Sequence, residues 1–369
     1  MKITVTRKSL HEGLQIVGRA VALTTSLPIL RNVLIETGQG SVKLSATDLE
    51  LGVEIILPAM IGEAGRLTVP AKTFNEIVSA LPEADVDLSV DEQGTLIVRC
   101  LRSNYRVHSL TAEEFPAMTE VSDKLVFSVP QALMKEWIKQ TAFAASDDDT
   151  RPILTGVLLS LKDSVLTLAA TDTHRLAVRT AKDAVEAEDF AAIIPVRALN
   201  ELARVLGDEP EAVVQIRIET NQIMFRTERV TLTSRLIEGN YPLYQRLIPS
   251  SHTRRLTIQR DDLQIALRRA KIMARDAAAK DRVVLATEGE SLVITAVGEE
   301  GFAREEIEVV REGEEISVAF NVSYLIDALG VIETDGVYLE MTEPLAPAVI
   351  RPVEDDVEYI VTIMPMQVQ

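Results

Sequence analysis

Three stretches of thirteen residues decide the architecture: VPAKTFNEIVSAL at 69–81, IPVRALNELARVL at 194–206 and FNVSYLIDALGVI at 320–332. They align without gaps, at spacings of 125 and 126 residues. Working outward, a second set lines up at the head of each copy: ITVTRKSL from Ile3, FSVPQALM from Phe127 and LTIQRDDL from Leu256. A third set is LSATD from Leu44, LAATD from Leu168 and ITAVG from Ile294, and the first two copies close alike on Phe115-Pro116 and Tyr241-Pro242. Solenoid repeats run to roughly 20–50 residues, so a period near 125 means a whole domain written three times.

Each copy reads strand, helix, strands, then strand, helix, strands. Ile3 and Val5 alternate with Thr4 and Thr6 as a half-buried strand does. Leu10, Leu14, Val17 and Val21 then recur at helical spacing, with counterparts Met134, Ile138 and Thr141, and Leu263, Leu267 and Ala270. Ser41–Thr47, Leu51–Leu57, Thr95–Val98 and Tyr105–Leu110 read as strands. Pro70 opens the second helix, which buries Phe74, Ile77, Val78 and Leu81. The expected fold class is α+β, two helices packed on antiparallel sheets, in three tandem domains at 1–118, 126–246 and 254–369. The polar stretches Thr119–Leu125 and Leu247–Arg255 are the expected linkers.

Composition bounds the function. A hydrophobic share of 47% supports packed cores, and a single cysteine, Cys100, excludes an internal disulfide and suits a reducing cytoplasm. No signal peptide heads the chain and no apolar run approaches the roughly 20 residues that cross a bilayer, so a cytoplasmic protein without membrane contact is expected. The net charge of −18 at first argues against nucleic acid, since phosphate binding needs cations. Its distribution argues otherwise: residues 254–282 carry nine Lys/Arg against four Asp/Glu, and residues 283–369 three against nineteen. Cations also recur on the first helix of each copy, as Lys8 and Arg19, Lys135 and Lys139, and Arg268, Lys271 and Arg275. Such faces are often merely solvated, yet an acidic body with a positive face kept for one partner accounts for their recurrence.

Phosphate-loop, dinucleotide, nucleophile-elbow and zinc signatures are all missing, and no cofactor is expected. Asp147-Asp148-Asp149 reads as a solvent-facing loop and no metal site is expected. The constellation Asp172-Thr173-His174-Arg175 has the groups for acid–base chemistry. The first copy has Thr47-Asp48-Leu49-Glu50-Leu51 in its place, so the Thr-Asp pair reads as a turn device, and His174 and Arg175 as an addition, for binding first and for a buried structural role second. Met364-Pro365-Met366 ends a strand-like run, on a residue type that suits adaptable surfaces and equally completes a core.

The segments Ser26-Leu27-Pro28-Ile29-Leu30, Ala170-Thr171-Asp172, His174-Arg175-Leu176-Ala177-Val178, Phe320-Asn321-Val322-Ser323-Tyr324 and Met364-Pro365-Met366, with the triplication, resemble the bacterial DNA sliding clamp family, the β subunits of DNA polymerase III. The resemblance implies three DNA-clamp domains per chain and a head-to-tail homodimer closed as a six-domain ring around double-stranded DNA. It implies a processivity factor, not an enzyme. The DNA would be held without sequence preference, facing Lys72, Arg197, Arg19, Lys135, Lys139, Arg268, Lys271 and Arg275. A peptide pocket for the replicative polymerase, the clamp loader and repair proteins would comprise Leu154, Thr171, Thr173, His174, Arg175, Leu176, Pro242, Arg246, Leu247, Asn321, Tyr324, Leu345, Pro347, Met364, Pro365 and Met366. Tyr105, Val107 and Ile272 would lie at the dimer contact. Thr173 departs from the glycine common in that turn, Gln367-Val368-Gln369 from the usual ending, and Pro152-Ile153 from the aromatics some relatives place against DNA. Two other readings stand beside this one: an enzyme built on Asp172, His174 and Arg175, and a monomeric three-domain scaffold without DNA.

Overall fold

The computed structural model describes residues 1–118, 127–183, 185, 187–275, 281–353 and 358–367. The expected linker Thr119–Leu125 lies outside them.

The first repeat runs β1 (Lys2–Thr6), α1 (Arg7–Val17), β2 (Asn32–Thr37), β3 (Ser41–Thr47), β4 (Leu51–Pro58), β5 (Met60–Glu63), β6 (Arg66–Pro70), α2 (Ala71–Ala80), β7 (Asp85–Val90), β8 (Leu96–Cys100) and β9 (Ser103–Val107). The second holds β10 (Phe127–Pro130), α3 (Gln131–Ala142), β11 (Gly156–Lys162), β12 (Val165–Thr171), β13 (Arg175–Lys182), β14 (Phe190–Pro195), α4 (Val196–Val205), β15 (Val213–Ile218), β16 (Gln222–Arg226) and β17 (Val230–Arg235). The third holds β18 (Arg254–Gln259), α5 (Arg260–Ala274), β19 (Arg282–Glu288), β20 (Ser291–Gly298), β21 (Gly301–Glu308), β22 (Val310–Glu312), β23 (Ser317–Asn321), α6 (Val322–Leu329), β24 (Gly336–Met341), β25 (Ala348–Pro352) and β26 (Tyr359–Ile363).

Local chemistry sets the helix ends. Thr6 caps α1 by accepting from the Ser9 N–H, and Asn321 caps α6 by accepting from those of Ser323 and Tyr324. Pro70 is the N-cap of α2, one residue earlier than expected, because it also ends β6. Helix α1 stops at Val17 and continues as a 3-10 turn at Gly18–Ala20, so Val21 falls outside the helix. The expected stripes are buried: Leu10, Leu14 and Val17; Met134, Ile138 and Thr141; Leu263, Leu267 and Ala270.

The described chain forms two compact units, residues 1–134 with 197–236 and residues 135–196 with 237–369. The division cuts the second repeat because its two sheets belong to different neighbours. In the first unit, the sheet β10-β15-β16-β17-β4-β3-β2-β6 is continuous from the second repeat into the first. In the second unit, β14-β11-β12-β13-β26-β25-β24-β18-β22 is continuous from the second repeat into the third. The smaller sheets are β5-β1-β7-β8-β9 and β21-β20-β19-β23.

The two junctions between repeats are built alike. In one, β4 pairs antiparallel with β17, Leu51 opposite Ser234 and Ile55 opposite Val230. In the other, β13 pairs with β26, Arg175 opposite Ile363 and Arg179 opposite Tyr359. Repeat alignment makes Leu51, Arg175 and Gly301 equivalent, and likewise Val107, Ser234 and Ile363, so both junctions keep one register. Just past each last strand a single residue closes its repeat: Leu110 bonds Thr68, the Ile237 N–H donates to Ile193, and the Met366 N–H to Ala319. Gly156 is required by this closure, since a Cβ there would lie 2.6 Å from Ile193 and 2.8 Å from Ile237. Two equivalents of the joining strands remain at sheet edges, β9 in the first unit and β21 in the second.

Candidate functional site

The turn between β12 and β13 is the root of the site. Asp172 Oδ1 accepts from the His174 and Arg175 N–H groups at 2.8 and 2.9 Å, and Thr171 Oγ1 donates to the Arg175 carbonyl at 2.7 Å. Asp48 and Thr47 make the same bonds to Glu50 and Leu51 in the first repeat. The Thr-Asp pair is therefore a turn device in both copies. The turn holds its third residue left-handed, Thr173 at φ 81° and Leu49 at φ 80°. That conformation favours glycine, and a β-branched residue holds it at a cost of about 1–3 kcal/mol.

Arg175 is the hub. Its Nε donates to Asp172 Oδ2 at 3.0 Å and its Nη1 to Asp327 Oδ2 at 2.6 Å. Its guanidinium lies 4.6 Å from the Tyr324 ring centroid and 5.3 Å from that of Phe143. A planar cation bonded to two carboxylates and lying against two aromatic rings is a fixed wall. His174 is exposed and stacks on Tyr324, ring centroids 6.4 Å apart. Its ring makes no hydrogen bond among the described residues, and both Asp172 oxygens are committed to backbone and Arg175. An Asp–His acid–base pair is not formed. Burial, then the Asp172 charge, pushes the Tyr324 phenol's pKa up.

Around this hub the second unit gathers most of the residues expected at a peptide pocket. Thr171, Leu176 and Leu154 are buried in the floor. The Thr171 N–H donates to Tyr241 Oη at 3.1 Å, and burial raises the pKa of that phenol. Tyr244, Leu247 and Ile248 pack with Leu176, Val178 and Ile360, so the expected linker from Leu247 lies against the sheet. Pro242 and Arg246 stand exposed beside them. The tail enters through the Met364 N–H bonding the His174 carbonyl at 2.8 Å and the Met366 N–H bonding that of Ala319 at 2.7 Å. Met364, Pro365 and Met366 are half-buried, Asn321 is spent on its helix cap, and Leu345 is exposed near half-buried Pro347. Phe143, Tyr241 and Asp327 were missed by the sequence reading. Asp327 was findable, because Glu76 and Glu201 hold its place in the other repeats.

The expected dimer residues are Tyr105 and Val107 on the β9 edge and Ile272 on α5. Ile272 is 58% exposed, as is Phe302 on β21 at 74%. By alignment Ile272 is equivalent to Arg19 and Phe143, both of which serve junctions: Arg19 pairs with Glu201 at 3.0 Å, and Phe143 carries Arg175. Of the expected DNA-facing cations, Lys72, Lys139, Arg268 and Arg275 are exposed, while Lys135 and Lys271 are half-buried. Arg197 pairs with Asp48 at 2.5 Å and donates to the Arg19 carbonyl, so it and Arg19 share their charge with a carboxylate. No helix among the described residues is long and apolar enough to cross a membrane.

Comparison with known proteins agrees along the whole chain. Profiles of the DNA polymerase III beta subunit match as N-terminal domain over 1–119, central domain over 128–243 and C-terminal domain over 245–367. The beta sliding clamp of Bacillus subtilis is 33% identical over 367 residues, 96% of this chain and 97% of that one. The beta sliding clamp of Pseudomonas putida is 34% identical over 374 residues, covering all of both chains. Crystal structures of the Bacillus subtilis DNA polymerase sliding clamp and of the Pseudomonas aeruginosa DNA polymerase III subunit beta superpose over both full chains with TM-scores of 0.94 and 0.92, each at 32% identity. The chain belongs to the DNA polymerase III beta subunit family, the beta sliding clamps.

Proposed function

We propose that this protein is the processivity factor of a replicative polymerase: two chains join head to tail into a ring that encircles duplex DNA in the cytoplasm and carries no catalytic site. One observation supports ring closure above the others. Both internal junctions pair equivalent strands in one register, and each chain keeps one further strand of each kind, β21 and β9, at an open edge. The same register between chains sets Val107 opposite Gly301, Tyr105 opposite Ala303 and Ser103 opposite Glu305. Arg102 then meets Glu306, and Arg106 meets Phe302. Ile272 from α5 would cover the face that carries Tyr105. Such a contact buries two edges that would otherwise invite indiscriminate pairing.

Duplex DNA would be held by topology, with exposed Lys72, Lys139, Arg268 and Arg275 making diffuse phosphate contacts that permit sliding. Polymerase, clamp loader and repair proteins would dock extended peptides on the Arg175 groove, with apolar anchors over Leu154, Thr171 and Leu176 and polar groups at His174 and Arg246. The test is retention. After loader-driven assembly the protein should stay on nicked circular DNA and leave when the circle is linearised, while sedimenting at twice its 40.6 kDa chain mass. Equal loss from circles and linear DNA overturns the reading.

A further inference from the structure

Beyond the Arg175 groove, one carboxylate in the third repeat gathers more positive charge than it neutralises. Glu340 on β24 is 6% exposed. Its Oε1 accepts from Arg255 Nη2 at 2.8 Å and Nε at 3.2 Å, and its Oε2 from Arg351 Nε at 3.0 Å. His252 Nδ1 lies 3.5 Å from Oε1. Arg351 is one of only three cations after residue 282, in a stretch with nineteen acids. Glu312 faces Arg255 across β22 but is exposed and makes no ion pair with it among the described residues. A small cavity of about 50 Å³ opens on this cluster, lined by Ser250, Ser251, His252, Pro347, Val349 and Arg351 with Glu340. At that size it holds a carboxylate group and little more, given about 30 Å³ for a water. Hydroxyls and cations are the lining a carboxylate needs.

The cavity lies on the same face of the sheet as the groove floor, with Thr362 and Val349 buried between them. Thr171, Leu176, Thr362, Val349, Glu340 and Arg255 lie directly opposite one another across six neighbouring strands, and so share one face of one sheet. Three strand steps separate Leu176 from Glu340, about 14 Å at ~4.8 Å per step. An extended peptide covers that distance in about four residues, at ~3.4 Å each. Pro347 lines the cavity and directly precedes β25, the strand that pairs with β26.

We propose that this cavity is an anion subsite of the partner groove, taking the carboxylate of a Glu or Asp side chain about four residues from the apolar anchor of an extended partner peptide. The inference rests on the peptide-docking reading and deepens it. Arg351 and His252 would hold the carboxylate, with the Ser250 and Ser251 hydroxyls donating to it. Glu340 keeps the two arginines in place. Among the described residues, Glu340 is the one acid lining the cavity, and the nearby Glu314 pairs with Arg254 at 3.7 Å.

The experiment uses the full-length protein and four synthetic acetylated peptides, each centred on Leu-Phe. One pair carries Glu or Gln four residues before the anchor, and the other pair Glu or Gln four residues after it. Affinities are read by fluorescence anisotropy at low salt. The proposal expects one Glu peptide to bind about tenfold tighter than its Gln partner, as a charge-assisted hydrogen bond supplies, and the gap to close as salt rises. Arg351→Gln and, separately, His252→Gln should shrink the Glu-to-Gln ratio toward one. If the peptides bind but both ratios are already one in the unaltered protein, the subsite is refuted and the groove stands. If none of the four binds, the docking reading itself has failed.

Discussion

Cysteine at Ser103 and Glu305 tests the proposed dimer at one residue pair. The geometry comes from the chain's own junctions. There the Ile56 N–H donates to the Arg229 carbonyl and the Arg235 N–H to that of Glu50, each at 2.9 Å. The alternation of an antiparallel ladder leaves Val230 and Ile55 as a pair without mutual hydrogen bonds. Ser103 and Glu305 are the equivalents of that pair. Their Cα atoms should lie about 4.5 Å apart across the interface, inside the roughly 4.4–6.8 Å that a disulfide spans. A control with cysteines at Ser103 and Ala303 is offset by two residues, about 7–8 Å apart, beyond that reach. The native Cys100 is 1% exposed, and burial raises the pKa of its thiol, so it does not compete. Mild oxidation followed by non-reducing electrophoresis should convert Ser103→Cys/Glu305→Cys to a covalent dimer and leave Ser103→Cys/Ala303→Cys mostly monomeric. Equal cross-linking of the two, or a faster control, refutes the shared register. Failure of both in a protein that sediments as a dimer places its contact elsewhere.

Other perturbations probe the turn, the hub and the buried acid. Arg175→Met leaves Asp172 without its cation and strips Tyr324 and Phe143 of their cover; we expect a loss of about 2–4 kcal/mol in urea unfolding, together with weakened peptide binding. A loss below half a kcal/mol would mean the hub is not structural. Thr173→Gly and Leu49→Gly relieve equal left-handed strain, so each should raise unfolding stability by about 1 kcal/mol, and a large difference between them would show that the turns are not equivalent. Burial pushes Glu340's pKa up, but bonds from Arg255 and Arg351 and the charges of Arg351 and His252 outweigh it and hold the group below its ordinary 4.5. Its contribution is therefore complete above pH 4.5 and is lost as pH falls through the lowered value; Glu340→Gln should flatten that acid limb of the stability curve. Ile272→Glu puts a charge in the proposed interface and should raise the dimer dissociation constant at least tenfold by sedimentation, with monomer unfolding unchanged.

Repetition made most of the fold legible. A strand or helix seen faintly once was seen three times, and the Thr47-Asp48 and Thr171-Asp172 turns were readable because short side chains bond the backbone two and three residues on. What escaped were contacts between residues far apart in the chain. Phe143 beneath Arg175 and Tyr241 on the Thr171 N–H depend on tertiary packing within the second repeat, 32 and 70 residues apart in the chain, which no periodicity encodes. Arg19 and Arg197 show the converse. The recurring cations of the first helices placed Arg19, and the family resemblance placed Arg197, among the DNA-facing residues, whereas Glu201 and Asp48 already engage them. The split of the second repeat between two compact units was likewise invisible, since the sequence marks where a copy begins but not which neighbour completes its sheets.

The common register of the junctions has a kinetic consequence. Within a chain, the strands that meet at β4–β17 and β13–β26 are tethered, and a short tether supplies an effective concentration in the millimolar range. The β9–β21 contact of the proposed dimer uses the same geometry with no tether, so dilution acts on it alone. At nanomolar protein the tethered junctions hold an advantage of about a millionfold, or about 8 kcal/mol. A ring of six similar seams thus has two that open first, and their place is set by covalent connectivity rather than by weaker chemistry.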